Sequence, residues 1–173
     1  FGLSKHPGYC GVEVRPLLGR GFLSSNYNKI LLGNHLEREE LMGVTWHESA
    51  HFLHPFLHLA KLNRESAPRR NLLLAEIVAN LGTFVYLDEN SGLNSENIKR
   101  YFAGNDASWD FNEAELIALT IAARNKDLLG KIINDDMNKV RIFLVPYRQE
   151  ARIYLNSICE KVSLMKFEFY KAS

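Results

Sequence analysis

Two histidines four residues apart, with a glutamate directly after the first, form the segment His47-Glu48-Ser49-Ala50-His51. On an α-helix, residues i and i+4 stand one above the other on the same face. Both imidazoles can then reach one Zn²⁺ at about 2.0–2.1 Å. Glu48 projects to the side of that pair, where it can take a proton from a metal-bound water without itself binding the metal. These are the parts of a zinc hydrolase. The bland alternative is a surface helix that happens to carry two histidines, so the neighbouring elements have to decide.

The motif falls within an expected helix over residues 35–54. Asn34 is placed to cap it, with Glu37 completing a capping box, and Pro55 disfavours helix at His54. A second helix is expected over 68–88, opened by Ser66 and Pro68 and closed by Asn90-Ser91-Gly92. Its residues 71–87 are apolar almost all the way round, which assigns it to the interior. Glu76 is the one ionisable side chain in that run, and a buried carboxylate needs a partner charge or a metal. Glu76 thus reads as a third ligand. The competing reading is a thin solvated strip shared with Asn80 and Thr83.

His-Glu-x-x-His, with 24 residues between His51 and a glutamate on a second helix, resembles the gluzincin group of zinc metallopeptidases. Trp46 to His54, followed by Glu76-Ile77-Val78-Ala79-Asn80, is similar to the ImmA/IrrE-type metallopeptidases, and the compact minigluzincins are a second match. The likeness spans about residues 25–90. It implies that His47, His51 and Glu76 bind Zn²⁺, that Glu48 is the general base, and that Asn80 supports a ligand from behind. It also implies that residues 28–33 form the strand at the edge of a small sheet. Ser49-Ala50 and the abrupt Pro55 depart from the usual pattern, and the last 80 residues lie outside the likeness. Two rival classes fail on the letters: a metzincin needs histidine where Leu57 stands, and an SprT-like protease needs a later histidine than His58. Glu65, Asp88, Glu89 and Glu113 remain as other carboxylates.

His54 and His58 continue the 47, 51 spacing, but Pro55 argues against one straight helix through all four. With Tyr86 and Tyr101 they are the candidates for a donor to a developing oxyanion, and the sequence does not choose among them. His6 and His35 carry no context that singles them out.

At 173 residues and 46% apolar, the chain is long enough for one globular domain with its own core. A net charge of +1, with basic residues spread along the chain, gives no nucleic-acid footprint. Lys61, Arg64, Arg69 and Arg70 do gather between the two metal helices and read as a solvated connection. No uncharged apolar window is long enough for a membrane span, because Glu76 interrupts the best one. Cys10 and Cys159 provide no disulfide framework, which fits a reducing, cytoplasmic setting. The chain starts at Phe1 rather than Met, which leaves room for a processed or secreted form.

Six of the eleven glycines fall in the first 33 residues, so short strands and turns are expected over about 8–33. Beyond them the pattern is helical: 111–125 capped by Asp110 with Glu113, then 130–144 ending before Pro146, then an amphipathic stretch from Ala151 to about 165. The expected fold is α+β: a mostly helical, zincin-like single domain over 1–173, with a small N-terminal sheet packed on the metal-binding helix. The expected partner is a peptide or protein, added as a strand along residues 28–33 and cut at the metal. Two non-protease readings stand beside this: a zinc-binding sensor or partner-binding module whose cleft is filled by its own tail, and a helical interaction protein with an accidental motif.

Overall fold

The computed structural model describes residues 12–15, 21–24, 29–54, 66–103, 111–136 and 138–153. They are mostly helical. Three short strands, β1 (Val12–Arg15), β2 (Gly21–Ser24) and β3 (Lys29–Gly33), pair in the order β1-β3-β2. β3 runs parallel to β1, with Val12 opposite Ile30, and antiparallel to β2, with Leu23 opposite Ile30. The strand at 28–33, expected at the edge, is therefore the central one. The reason lies in its composition: Ile30, Leu31 and Leu32 are all buried, and an unbroken apolar run suits a strand covered on both faces. Ile30 and Leu32 pack against Leu41, Val44 and Phe52, which seats the strand beneath the next helix.

That helix, α1 (Arg38–Ala50), continues into a 3₁₀ turn, His51–Leu53. It starts three residues later than the sequence suggests. Glu37, not Asn34, occupies the N-cap position, and no side-chain cap hydrogen bond forms there. The helix ends where Pro55 requires, with His54 extended at φ −124°, ψ 113°. His54 is buried. Its Nε2–H donates to the carbonyl of Asp135 at 3.2 Å, and its Nδ1 has no hydrogen-bond partner among the described residues.

The long helix α2 (Arg69–Ser91) forms the centre of the core, from Leu74 through Ile77, Leu81 and Phe84 to Leu87. Gly92 stops it at φ +86°, a conformation that favours glycine, and its N–H donates to the carbonyl of Leu87. By length and composition α2 could cross a bilayer, but 61% of its apolar window is buried within the domain, as in a core helix. A short helix, α3 (Ser95–Ile98), leads into one π-helical turn, Lys99–Ala103, which packs on α1.

The helix α4 (Glu113–Asn125) packs along α2 and carries a complete capping box. Asn112 accepts from the Glu115 N–H at 3.0 Å, and the Glu115 carboxylate accepts from the Asn112 N–H at 2.9 Å. The cap is thus Asn112 with Glu115, and Asp110 lies outside the described residues. α5 (Leu128–Asn134) is followed by α6, residues 138–153. Asp136 accepts from the N–H groups of Asn138 and Lys139 at the start of α6. Those bonds, the one to Lys139 foremost, hold its carboxyl below the usual carboxylate range.

The expected single helix over 130–144 is thus split, and α6 runs through Pro146 rather than stopping before it. The carbonyl that Pro146 leaves without a donor belongs to Ile142. That residue is 68% exposed, so water can replace the bond. Ala151, placed at the head of the expected last helix, is buried within α6, and residues from 154 lie outside the described ones.

α1 and α2 meet where neither carries much side chain. A Cβ added to Gly82 would stand 3.0 Å from the Ala50 Cβ and 2.8 Å from a Leu53 methyl. Leu53 can swing away, whereas Ala50 is fixed to the helix. Gly82→Ala is therefore expected to destabilise the fold by about 1–3 kcal/mol through overpacking, despite alanine's better helix propensity. Denaturant unfolding measures this; unchanged or increased stability would show that the contact is slack.

Candidate metal centre

α1 presents His47 and His51 one turn apart, their rings edge to face with centroids 4.9 Å apart. From α2, Glu76 reaches both: its Oε2 lies 3.2 Å from His47 Nε2 and 3.9 Å from His51 Nε2. One donor atom from each of the three residues falls within 4.8 Å of the other two, a group that could hold a metal ion. Donors bound tetrahedrally at zinc distances lie about 3.3 Å apart, so only small side-chain adjustments separate this arrangement from a closed site.

The hydrogen bonding around His47 supports the same conclusion. The Asn80 Oδ1 accepts from His47 Nδ1–H at 2.9 Å, one turn along α2 from Glu76. That bond commits the Nδ1 proton and turns Nε2 towards the Glu76 carboxylate. In that arrangement Nε2 faces Glu76 and takes no part in the Asn80 bond, as a shared cation would require. A metal ligand whose other ring nitrogen is held by an amide or carboxylate is the usual form of a histidine metal site.

Glu76 is not buried as its apolar surroundings suggested. Its side chain is 33% exposed, because its strip of α2 forms the wall of a cavity rather than the core. Thr83, on the same face, is fully buried and donates instead to the Ala79 carbonyl, so the solvated strip is short. The neighbouring Glu48 is 5% exposed and lines the cavity with His47, Glu76 and Asn80.

The cavity has a volume of about 500 Å³, and its other walls come from far along the chain. Tyr101 and Phe102 of the π-helical turn form one side, and Asn112 to Glu115 at the start of α4 form another. Of the four candidates for an oxyanion donor, Tyr101 alone is placed at the cavity among the described residues. Tyr86 is 45% exposed and lies against Trp46 outside it, His54 is committed to Asp135, and His58 lies outside the described residues. Among the other carboxylates, Glu113 lines the cavity but pairs with Arg148 and Arg152, and Asp88 pairs with Lys126. Glu89 is exposed, and Glu65 lies outside the described residues.

Neither a family profile, nor a curated protein, nor a solved structure matches the chain. The site therefore has to be judged on its own geometry.

Sequence reasoning missed Gly43. It stands one turn before His47 on the same helix face, and the Tyr101 main chain lies directly on it. An added Cβ would fall 2.0 Å from the Tyr101 carbonyl oxygen. The i−4 spacing from His47 was the available signal. Trp46 then stacks on Tyr101 at 5.1 Å, fixing the ring from behind.

Two outcomes follow. Gly43→Ala forces the π-helical turn off α1. It should cost about 1–3 kcal/mol or more and shift Trp46 fluorescence, as Tyr101 leaves the indole face. Asn80→Ala should leave the fold intact and weaken metal binding about 10–100-fold, read by metal titration against a competing chelator. Unchanged affinity would show that the bond to His47 does not prepare the ligand.

Proposed function

We propose that the protein is a zinc-dependent metalloendopeptidase of gluzincin-like, zincin-type fold. The observation that carries this reading is the convergence of His47, His51 and Glu76 beside a cavity that His47, Glu76 and Glu48 line, with His51 buried behind them. His47, His51 and Glu76 would hold the zinc, and Asn80 keeps the His47 Nδ1 proton in place so that Nε2 is available. When bound, the metal supplies Lewis acidity and lowers the pKa of a coordinated water towards 7.

The chain's own groups do the rest. Glu48 follows the first histidine and sits in the cavity wall, so its carboxylate takes the proton of the attacking water and passes it to the leaving amine. Burial of Glu48 keeps competing solvent from that carboxylate. Tyr101, across the cavity, donates its phenolic O–H to the carbonyl oxygen as charge develops there. The extended substrate cannot pair with β3, which has a neighbour on each side; among the described residues the outer edges of the sheet are those of β1 and β2. β2 also lies against α1, which favours its edge as the substrate rail.

Cleavage of a peptide library by the zinc-loaded protein tests the reading. Glu48→Gln should retain one zinc per chain and lose at least about 10²-fold in turnover. Tyr101→Phe should retain zinc and lose about 10²–10³-fold in kcat. Stoichiometric zinc with no cleavage of any peptide would leave a metal-binding partner or sensor module. Absence of zinc binding would leave the helical interaction reading.

A further inference from the structure

Resting on the peptidase reading, we propose that the cavity selects its peptide by a large apolar side chain next to the scissile bond and rejects an acidic one there. Leu73, Phe102 and Val44 are the residues that set this choice. Three observations on the cavity converge on it.

The first is the position of the apolar surface. Val44 and Leu73 line the same cavity as the metal group, each three residues before one of its ligands, His47 and Glu76 respectively. At i and i+3 on a helix, such a side chain stands beside its ligand one turn away. Phe102 completes the surface from the π-helical turn, its ring braced by Phe84 at 4.8 Å. Each of the three is only partly buried, so apolar area remains for a ligand to cover.

The second is charge. None of the described residues lining the cavity is Lys or Arg, whereas Glu48, Glu76, Glu113 and Glu115 all do so. Glu48 and Glu76 face the metal side. Glu113 and Glu115 belong to the opposite wall and are held in place by Arg148 and Arg152 and by the capping box. A substrate carboxylate entering this space meets carboxylates and, among the described residues lining it, no cationic side chain, and loses its water in doing so.

The third is size. A cavity of about 500 Å³ has room for a Leu or Phe side chain together with the flanking backbone. Even one methylene more or less in a hydrophobic pocket is worth about 10–200-fold in discrimination, so a Leu is well distinguished from an Asp there.

The test uses peptide hydroxamates that differ in one side chain, Leu, Lys or Asp, at the position next to the hydroxamate. They are titrated by calorimetry into the zinc-loaded full chain, and the matching peptides are assayed for cleavage. The Leu probe is expected to bind at least about tenfold more tightly than the Asp probe, with Lys between them. Glu113→Gln should narrow the Leu-to-Asp ratio by raising Asp affinity, while Leu73→Ala narrows it by lowering Leu affinity. Equal binding of Leu and Asp, or tightest binding of Lys, would overturn the selection by apolar side chains and leave the peptidase reading standing. Ordered binding without cleavage of any matching peptide would overturn the peptidase reading and leave the apolar selectivity of the metal cavity. The probe series on the parent chain decides the question even where the Leu73 variant fails to fold.

Discussion

The close crossing of α1 and α2 is the contact on which the candidate metal centre depends. Neither helix carries a complete site: α1 and the 3₁₀ turn that continues it bring two imidazoles, and α2 a single carboxylate. The carboxylate comes within 3.2 Å of an imidazole because the helices touch at Ala50 and Gly82, where a methyl group faces a hydrogen. A Cβ at Gly82 would stand 3.0 Å from the Ala50 methyl, so a larger residue there would press the two helices apart. Asn80 lies on the same side of α2 and uses the same proximity to reach His47. Packing and chemistry therefore share one constraint, and the backbone at this crossing cannot be relaxed without opening the site.

The grouping of two histidines with one glutamate suits a shared cation better than a simple ion pair. A half-exposed imidazolium–carboxylate pair contributes about 0–1 kcal/mol. That is little return for enclosing the His51 ring, which is 2% exposed, beside a carboxylate, and it does not explain why two histidines converge on one glutamate. A divalent ion shared by three donors offsets the desolvation of all of them, and the bond to Asn80 already orients one ring for it.

Local chemistry was legible in the sequence and long-range placement was not. The i, i+4 histidines and the lone glutamate in an apolar helix located the three residues that converge. Gly92 and Pro55 marked helix ends because their backbone limits act within a few residues. Expectations that required knowledge of neighbours came out differently. Residues 28–33 read as an edge strand, yet Ile30-Leu31-Leu32 is apolar on both faces and sits between two partners. Pro146 read as a stop, but its effect depends on whether water can reach the carbonyl of Ile142. Glu76 read as buried from its neighbours in sequence. Its exposure is set by the π-helical turn and the start of α4, which stand back from it and leave a cavity.

The far walls of that cavity show how a small fold can position groups on segments with no metal ligand. Gly43 removes the one side chain that would hold the π-helical turn away from α1, and Trp46 then supports Tyr101 from the side. On the opposite wall, Glu113 is drawn towards α6 by Arg148 and Arg152, while Glu115 is committed to capping its own helix. Both residues line the cavity with their carboxylates already engaged, so neither competes with Glu76 for a place beside the two histidines. Exposed ion pairs of this kind contribute little to stability. Their consequence is positional: together with the capping box they keep two negative groups on one wall, apart from the histidines that Glu76 of α2 meets.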